Sequence, residues 1–207
     1  MKRREVIKGI AVGIGALGIG KLATGETPKN RAVQARPIER NEMKFWLETS
    51  LRRVFPNSMP GSASPLKLLA ARNERISFQV CLRNRKTTMV RVRAALEGAD
   101  ELNPIIRRVG YVPLQGLDVD VPMDETDGVG QIPGLAPDPL YPDDFAHVGP
   151  EANGAFWITL AVPRDAKPGI RQLKARLTVE DECGHLGWKG EKPWSVELPL
   201  QVDVHPF

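Results

Sequence analysis

The chain has 207 residues, 42% of them hydrophobic, and a formal net charge of +4. This length suits one domain with a real core and excludes a β-sandwich joined to a (β/α)8 barrel, which alone needs ~250 residues. The basic excess would suggest a nucleic-acid or anionic-membrane partner, but it belongs to the N-terminal segment.

Residues 1–35 have the three parts of an export signal. A basic start containing Arg3-Arg4 precedes a glycine-rich apolar run, Gly9–Gly20, and a small-residue cleavage site ends at Ala35. The run is shorter than the ~20 apolar residues of a membrane span, so we expect a signal helix that is removed after export. The paired arginines indicate the twin-arginine route to the periplasm or the outside of the cell, although a cut nearer Ala23 remains open.

Removal of residues 1–35 changes the charge of the protein. Seven basic and two acidic residues leave, so 22 basic and 23 acidic residues remain and the net charge becomes −1. We therefore expect no nucleic-acid partner and no membrane span in the mature protein.

The G-x-G-x-x-G pattern at 13–18 leaves with the signal and has no strand before it, so it is no nucleotide site. The basic clusters 83–86 and 91–93 are interpreted as solvated turns and strand faces.

Alternating apolar residues predict an all-β domain over residues 43–207, after a linker at 36–42. The clearest strands are 76–82, 89–96, 156–162, 173–179 and 196–204, with shorter ones near Phe45, Leu68 and 106–112. We interpret the first two as neighbouring strands joined at 84–88. A total of about eight or nine strands predicts a two-sheet antiparallel β-sandwich.

Residues 113–154 interrupt the alternation with seven prolines and predict one long loop. Its aromatic and acidic residues could line a sugar-binding or interdomain surface, because aromatic rings pack on apolar faces and carboxylates accept hydrogen bonds from hydroxyl groups. The alternative is a proline-stiffened cover over the sandwich edge. The residues in question are Asp138, Tyr141, Asp143, Asp144, Phe145 and His147.

No active site is evident in the sequence. Glycoside hydrolysis needs two carboxyl groups held across a scissile bond, whereas Asp143-Asp144 and the acids of 124–127 (Asp124, Glu125, Asp127) are adjacent in a loop and are interpreted as solvated. No G-x-S-x-G elbow occurs, and neither cysteine with His185 has a supporting context. We assign no catalytic residue, no metal ligand and no cofactor, and the ligand-binding residues stay open.

Cys81 and Cys183 are the two cysteines, and an oxidising compartment would permit them to pair. They are far apart in sequence, so only geometry decides whether they approach. Cys81 lies in an apolar strand, where a buried thiol behaves as a small hydrophobic group. Neither cysteine has a partner at metal-ligand spacing, and His147 and His205 are isolated.

Five blocks of sequence form a recognisable series. In chain order they are Phe45–Pro56, Leu69–Val80, Val109–Val112, Pro137–Leu140 and Phe156–Pro163. Together they resemble the N-terminal domain of glycoside hydrolase family 123, and the resemblance covers about residues 43–205. Its most specific part is Ala71-Arg72-Asn73-Glu74 with Phe78-Gln79. One departure follows Gly169, where Arg171 and Leu173 stand at positions that relatives often fill with tyrosine and glycine.

The resemblance implies a β-sandwich whose hydrolytic chemistry lies elsewhere. In that family a following (β/α)8 barrel carries an Asp-Glu pair that assists attack by the substrate's own 2-acetamido group on N-acetylgalactosaminides. No residue of this chain matches that pair. The Arg72, Asn73 and Glu74 cluster is interpreted as a structural salt-bridge and turn network rather than a site.

Two hypotheses from different classes follow. The first is an exported non-catalytic module of a family-123-like glycosidase, with a separate or missing barrel as partner, either encoded apart or cut off by a frameshift or incomplete gene model. The second is a free-standing carbohydrate-binding or adhesion module, for which Tyr141 and Trp157 are the candidate glycan contacts. A complete small hydrolase is the third and least favoured reading, because neither an acid pair nor a triad is placed.

Overall fold

The structure, a computed structural model, describes residues 38–61, 65–117, 120, 122, 128–181 and 192–207. The predicted signal peptide lies outside the described residues, as does most of the loop expected at 183–193. The described residues form a short 3-10 helix, Asp100–Leu102, and eleven strands. The strands are β1 (Ile38–Arg40), β2 (Met43–Thr49), β3 (Leu66–Ala71), β4 (Arg75–Asn84), β5 (Val90–Glu97), β6 (Ile105–Leu114), β7 (Gly134–Tyr141), β8 (Phe145–Val148), β9 (Asn153–Ala161), β10 (Gly169–Asp181) and β11 (Trp194–His205).

The strands form two sheets that pack as a sandwich. The six-stranded sheet has the order β1-β2-β4-β9-β6-β7, and the five-stranded sheet has the order β3-β11-β10-β5-β8. Neighbouring strands are antiparallel except β3, which runs parallel to β11. The predicted all-β sandwich is confirmed, with more strands than the alternation revealed and with this one parallel pair.

The core lies between the sheets and consists of the residues that alternation placed inward. Phe78, Val80 and Leu82 of β4 are fully buried, and so are Phe156 and Ile158 of β9. The five-stranded sheet meets them with the inward faces of β5, β10 and β11. Each large side chain buried in this way stabilises the fold by about 1.5–3 kcal/mol relative to an exposed one.

The prediction that β4 and β5 are neighbouring strands is wrong. β4 lies between β2 and β9, whereas β5 lies between β10 and β8 in the other sheet. Both strands present an apolar face to one core, so alternation alone does not distinguish strands that pair from strands that face each other.

The connection from β4 to β5 is held by Asn84, whose buried side-chain amide donates to the carbonyl oxygens of Thr88 at 2.8 Å and Val148 at 3.1 Å.

The proline-rich segment 113–154 is not irregular throughout. It contains β7, an edge strand of the six-stranded sheet, and β8, an edge strand of the five-stranded sheet. Prolines 137 and 139 lie within β7, which is possible because an edge strand need not donate every backbone N–H to a neighbour. Among the described residues, no helix has the length and hydropathy needed to cross a bilayer.

Candidate ligand-binding groove

The outer face of the six-stranded sheet, on the side away from the core, carries few charges at its centre. The outward positions of β4 include Gln79 and Cys81, and those of β9 include Trp157. Gln79 lies directly opposite Trp157, which in turn lies opposite Arg107 of β6. These three side chains therefore form one row across three strands.

A segment that we call the crossing segment, residues 50–61, covers part of this outer face. Its Val54 is buried in a small apolar cluster with Trp46, Cys81 and Val109. Cys81 is fully buried although its side chain points away from the main core. The six-stranded sheet is therefore covered on both faces at its centre.

Buried polar side chains hold the crossing segment by its backbone. The side-chain amide of Gln79, only 3% exposed, donates to the carbonyl oxygens of Thr49 at 2.9 Å and Arg52 at 2.6 Å. The Tyr111 hydroxyl donates to the Val54 carbonyl at 3.2 Å. These bonds satisfy carbonyl groups that no strand partner reaches, which is the usual condition for burying an irregular segment.

Asn153, at the start of β9, fixes the second half of the crossing segment. Its side-chain amide donates to the carbonyl oxygens of Phe55 at 2.9 Å and Ser58 at 2.7 Å. Its backbone N–H donates to the carbonyl oxygen of Pro56 at 2.9 Å. One buried residue thus binds three backbone carbonyl groups of the crossing segment.

A groove of about 250 Å³ opens between the crossing segment and β7. Its floor contains Trp157, Gln79 and Val109 from three adjacent strands, and its two walls come from the crossing segment and from β7. The lining residues are Ser50, Arg52, Arg53, Gln79, Val109, Pro137, Asp138, Leu140 and Trp157. An aromatic floor with polar walls is the chemistry of a small-molecule site rather than of a packed interior.

The polar groups of the groove differ in their partners. Both amide protons of Gln79 are used, while its Oε1 receives no hydrogen bond from the described part of the chain. Arg52 forms an ion pair with Glu48 at 3.0 Å. Within the same described ranges, Asp138 and Arg107 have no ion pair. The groove therefore offers an acceptor, a carboxylate and guanidinium groups to a ligand.

The titratable groups beneath the crossing segment are shifted by burial. Burial raises the pKa of the Cys81 thiol well above its ordinary value, and the nearby Glu48 carboxylate adds to this shift. Burial also raises the pKa of the Tyr111 hydroxyl. Both groups are therefore neutral at physiological pH, so the thiol is not an activated nucleophile.

Comparison with solved structures finds this fold in an enzyme. A family 123 glycoside hydrolase from Clostridium perfringens, which hydrolyses glycolipid glycans, matches with a TM-score of 0.55 at 11% identity over 80% of this chain. The matched chain is much longer, and this chain spans 28% of it. The likeness shows the fold.

A looser likeness relates the chain to PapD-like domain 7 of human CEP192. Its TM-score is 0.40 at 10% identity, over 93% of this chain and 99% of that one. No family model and no curated protein matches the chain. At such low identities the comparisons identify a β-sandwich and leave the function to be argued from the site.

The two candidate glycan contacts, Tyr141 and Trp157, lie on opposite faces of the six-stranded sheet. Trp157 pairs with Arg107 on the outer face, whereas Phe156 and its partner Arg108 point to the other side. The Arg108 guanidinium lies 4.3 Å from the centre of the Tyr141 ring. The two aromatic side chains therefore do not form one platform, and only Trp157 lines the groove.

The acidic residues Asp143 and Asp144 are bound to arginines. Asp143 accepts hydrogen bonds from Arg108 at 3.1 and 3.2 Å, and Asp144 accepts two from Arg93 at 2.6 and 2.7 Å. These carboxylates fix the connection between β7 and β8 to the two sheets and do not face each other across a cleft. The sequence predicts that these acids are solvated, whereas each forms an ion pair with an arginine.

The remaining aromatic candidates of the segment lie on the other sheet. Phe145 and His147 of β8 contact each other edge to face with ring centres 5.7 Å apart. The Arg91 guanidinium lies 4.5 Å from the centre of the Phe145 ring. Of the residues named in the proline-rich segment, only Asp138 lines the groove.

The Arg72, Asn73 and Glu74 cluster forms a turn network. Glu74 accepts a hydrogen bond from the Ala71 N–H at 2.6 Å, and Asn73 has a left-handed backbone with φ 60°. The Arg72 side chain donates to the carbonyl oxygen of Ala166 at 2.8 Å. The hydrogen bonds agree with the predicted turn network, whereas within the described ranges neither Arg72 nor Glu74 forms the predicted salt bridge.

Two further predictions fall on residues outside the described ranges. Cys183, His185 and the acids 124–127 lie there, so their arrangement remains a prediction. Cys81 is a free cysteine. Within the described residues, no group of three or more His, Cys, Asp and Glu side chains is placed to hold a metal ion.

Sequence reasoning missed the groove, although a signal was present. The outward positions of β4 and β9 carry no charge between Ser77 and Cys81 or between Ala155 and Ala161. By contrast, β5 places Arg91 and Arg93 on the outer face of the five-stranded sheet. Uncharged outward positions on neighbouring strands indicate a face that something covers or binds.

Proposed function

We propose that this protein is an exported, non-catalytic β-sandwich module of a family-123-like glycoside hydrolase. The observation that carries the proposal is the likeness to the Clostridium perfringens enzyme, which includes 80% of this chain but only 28% of that one. The sequence blocks that resemble the family's N-terminal domain support the same assignment. The catalytic (β/α)8 barrel then lies outside residues 1–207, and the substrates of the assembled enzyme are N-acetylgalactosaminides.

The arrangement of acids supports a non-catalytic role. Asp143 and Asp144 are held by arginines, and Asp138 is the one carboxylate among the residues that line the groove. Hydrolysis of a glycosidic bond by two carboxyl groups requires both of them on either side of the bond, roughly 5–10 Å apart. The described residues do not provide that pair at the groove.

The direct test is an assay of the purified full chain with a chromogenic N-acetylgalactosaminide. We expect no turnover, with an intact family 123 glycoside hydrolase as the positive control. Turnover that exceeds the no-protein blank would overturn the non-catalytic assignment. Reading the DNA downstream of codon 207 tests the second part of the proposal, namely that a catalytic barrel belongs with this module. Absence of any barrel-encoding frame nearby would count against such a barrel.

Export by the twin-arginine route is part of the proposal. It is supported by the basic start, the mild apolar run and the cleavage site of residues 1–35. A reporter fused to these residues should reach the periplasm or the medium, and substitution of both Arg3 and Arg4 by lysine should retain it in the cytoplasm. Equal export of both fusions would contradict the assigned route.

A free-standing carbohydrate-binding module is the second candidate function. The groove favours it, because Trp157 provides an indole face beside polar groups on an otherwise covered sheet. Glycan-array binding by the full chain that is lost in Trp157→Ala would support this function. Since Tyr141 lies on the opposite face, Tyr141→Ala should leave the binding unchanged, and the absence of binding to any glycan would reject the candidate.

A further inference from the structure

We propose that the groove between the crossing segment and β7 binds one sugar ring that carries a carboxylate, that is, a uronic-acid residue of an acidic polysaccharide. The inference rests on the carbohydrate-related function proposed above and adds the class of sugar. It is carried by the juxtaposition of an indole floor, a hydrogen-bond acceptor of fixed orientation, and Arg52 and Arg53 on one wall of the groove.

The floor of the groove suits the apolar face of a sugar ring. Trp157 is half-buried, packs at its base against the small cluster under the crossing segment, and lines the groove. A ring held in this way gives a rigid, flat surface at little cost in side-chain entropy. The axial C–H groups of a pyranose pack against such a surface.

Gln79 supplies a fixed hydrogen-bond acceptor. Its two amide protons are donated to the Thr49 and Arg52 carbonyl oxygens, and this fixes the orientation of the amide group. The Oε1 atom accepts no hydrogen bond from the described residues, and the residue lines the groove. A ligand hydroxyl can therefore donate to this acceptor in place of water.

The charges of the groove are asymmetric. The crossing segment contributes Arg52 and Arg53 to one wall, while β7 contributes the carboxylate of Asp138 to the other. A ligand with a carboxylate at one end and hydroxyl groups at the other matches this arrangement, because the planar guanidinium fork binds carboxylates and a carboxylate accepts hydroxyl protons.

The size of the groove limits the ligand to one ring. Its volume of about 250 Å³ is below the ~300–1,000 Å³ of pockets that enclose drug-sized molecules. One pyranose therefore occupies the groove, and the rest of a polysaccharide extends into solvent on either side. Affinity for a single site of this kind is expected to be modest.

The test is calorimetric titration of the full chain with tetragalacturonate and with its methyl-esterified counterpart. The ester preserves the rings and removes the charge. We expect tetragalacturonate to bind about tenfold more tightly than the ester, and its affinity to fall as salt is raised from about 0.05 to 0.5 M. A tetrasaccharide of sulfated galactose is the third ligand and should bind more weakly than the uronate.

Three variants locate the site. Trp157→Ala should weaken uronate binding about tenfold, and Arg53→Gln about threefold, since both residues line the groove. Tyr141→Ala is the matched control on the opposite face of the same sheet and should bind as the wild type does. Thermal midpoints of all variants distinguish a lost site from a lost fold.

The possible outcomes separate this inference from the proposed function. Equal affinity for the ester and the uronate overturns the acidic-sugar class but leaves a glycan site in place. Tighter binding of the sulfated sugar overturns the carboxylate assignment. Loss of binding in Tyr141→Ala but not in Trp157→Ala overturns the location. Absence of binding by every saccharide overturns the inference altogether, whereas the hydrolysis assay and the downstream reading frame judge the enzyme-module proposal independently.

Discussion

Three buried amide side chains, Gln79, Asn84 and Asn153, organise the irregular parts of this molecule. They are the buried polar residues of the described chain, and each donates hydrogen bonds to backbone carbonyl groups of a connection rather than to other side chains. A side-chain amide has two donors, so one residue can hold two carbonyl groups. The connections are thereby fixed against the sheets without regular secondary structure.

Replacement of Asn153 by alanine should destabilise the protein by about 2–4 kcal/mol. The change removes the side-chain donors to the Phe55 and Ser58 carbonyl oxygens, so the Ser58 carbonyl loses this partner and the Phe55 carbonyl keeps, among the described residues, only the Ser58 N–H. Urea unfolding of the wild type and the variant measures the effect. The control is Asn57→Ala, an exposed position of the same segment, which should change the free energy of unfolding by less than about 0.5 kcal/mol. Equal effects of the two substitutions would contradict the role given to Asn153.

The buried thiol of Cys81 should make stability depend on pH in the alkaline range. Its pKa is raised above the ordinary value of 9.0, so the folded state keeps a proton that the unfolded state loses. The stabilisation that comes from keeping the Cys81 thiol protonated in the folded state is therefore complete below about pH 9. It is lost as pH rises toward the pKa of the folded state.

Comparison of two proteins isolates this contribution. The free energy of unfolding is measured at pH values from about 7 to 10.5 for a Cys183→Ala protein and for the same protein with Cys81→Ala. We expect the first to lose more stability with rising pH than the second, since only the first carries the buried thiol. Parallel pH profiles would show that the thiol does not titrate differently in the folded state.

At the scale of elements, the crossing segment explains why one sheet is covered on both faces. The segment passes from β2 across β4 toward β6, and its Val54 closes over Trp46 and Cys81. Its apolar residues and the uncharged outward positions of β4 and β9 are complementary. The groove exists because the cover ends before it reaches β7.

The turn at residues 71–74 ties three separate elements together. The Arg72 side chain donates to Ala166, and its backbone N–H donates to the Phe207 carbonyl oxygen at 3.2 Å. The Glu74 carbonyl oxygen accepts a hydrogen bond from the Val162 N–H at 2.9 Å. This turn therefore joins the end of β3 to the ends of β9 and β11.

Arg72→Ala should lower the free energy of unfolding by about 1–2 kcal/mol, because a charged donor is removed from a part-buried bond to the Ala166 carbonyl and an exposed one to the Pro206 carbonyl. The control is Arg85→Ala, which removes an arginine whose ion pair with Glu39 is exposed and 3.5 Å long. Chemical denaturation of both variants measures the difference. A change in glycan binding by Arg72→Ala at unchanged stability would contradict the structural role.

At the scale of the whole molecule, the outer face of the five-stranded sheet is a solvated charge network. Arg176 contacts Glu97 at 2.9 Å and Glu197 at 2.8 Å, and Lys174 contacts Glu197 at 3.0 Å. Hydrogen bonds from Lys174 and Arg176 lower the pKa of the Glu197 carboxyl. Exposed pairs of this kind contribute little to stability, so this face keeps the protein soluble and the core supplies the free energy.

The two sheets should unfold in one cooperative step, because they share a single core. Tryptophan fluorescence reports Trp46 on one sheet and Trp194 on the other, while far-ultraviolet circular dichroism reports all strands. We expect the two probes to give the same urea midpoint. Separate midpoints would show that one sheet or the crossing segment unfolds on its own.

Much of the fold followed from local alternation. The inward residues of β4, β5, β9, β10 and β11 were predictable because each strand buries one face, and that requirement acts within a few residues. The pairing of strands was less accessible, as the separation of β4 and β5 into different sheets illustrates. Edge strands such as β7 escaped prediction because prolines and exposure weaken the alternation there.

The sequence alone determined that the chain makes a β-sandwich, which residues form its core and which acids lack a catalytic context. Only the tertiary structure decided that the crossing segment covers the six-stranded sheet, that Tyr141 and Trp157 lie on opposite faces, and that Gln79 lines a groove with arginines and a carboxylate. The physical reason is one of range. Burial of a strand face is imposed by neighbouring residues in the chain, whereas a groove is made by residues that only long-range packing brings together.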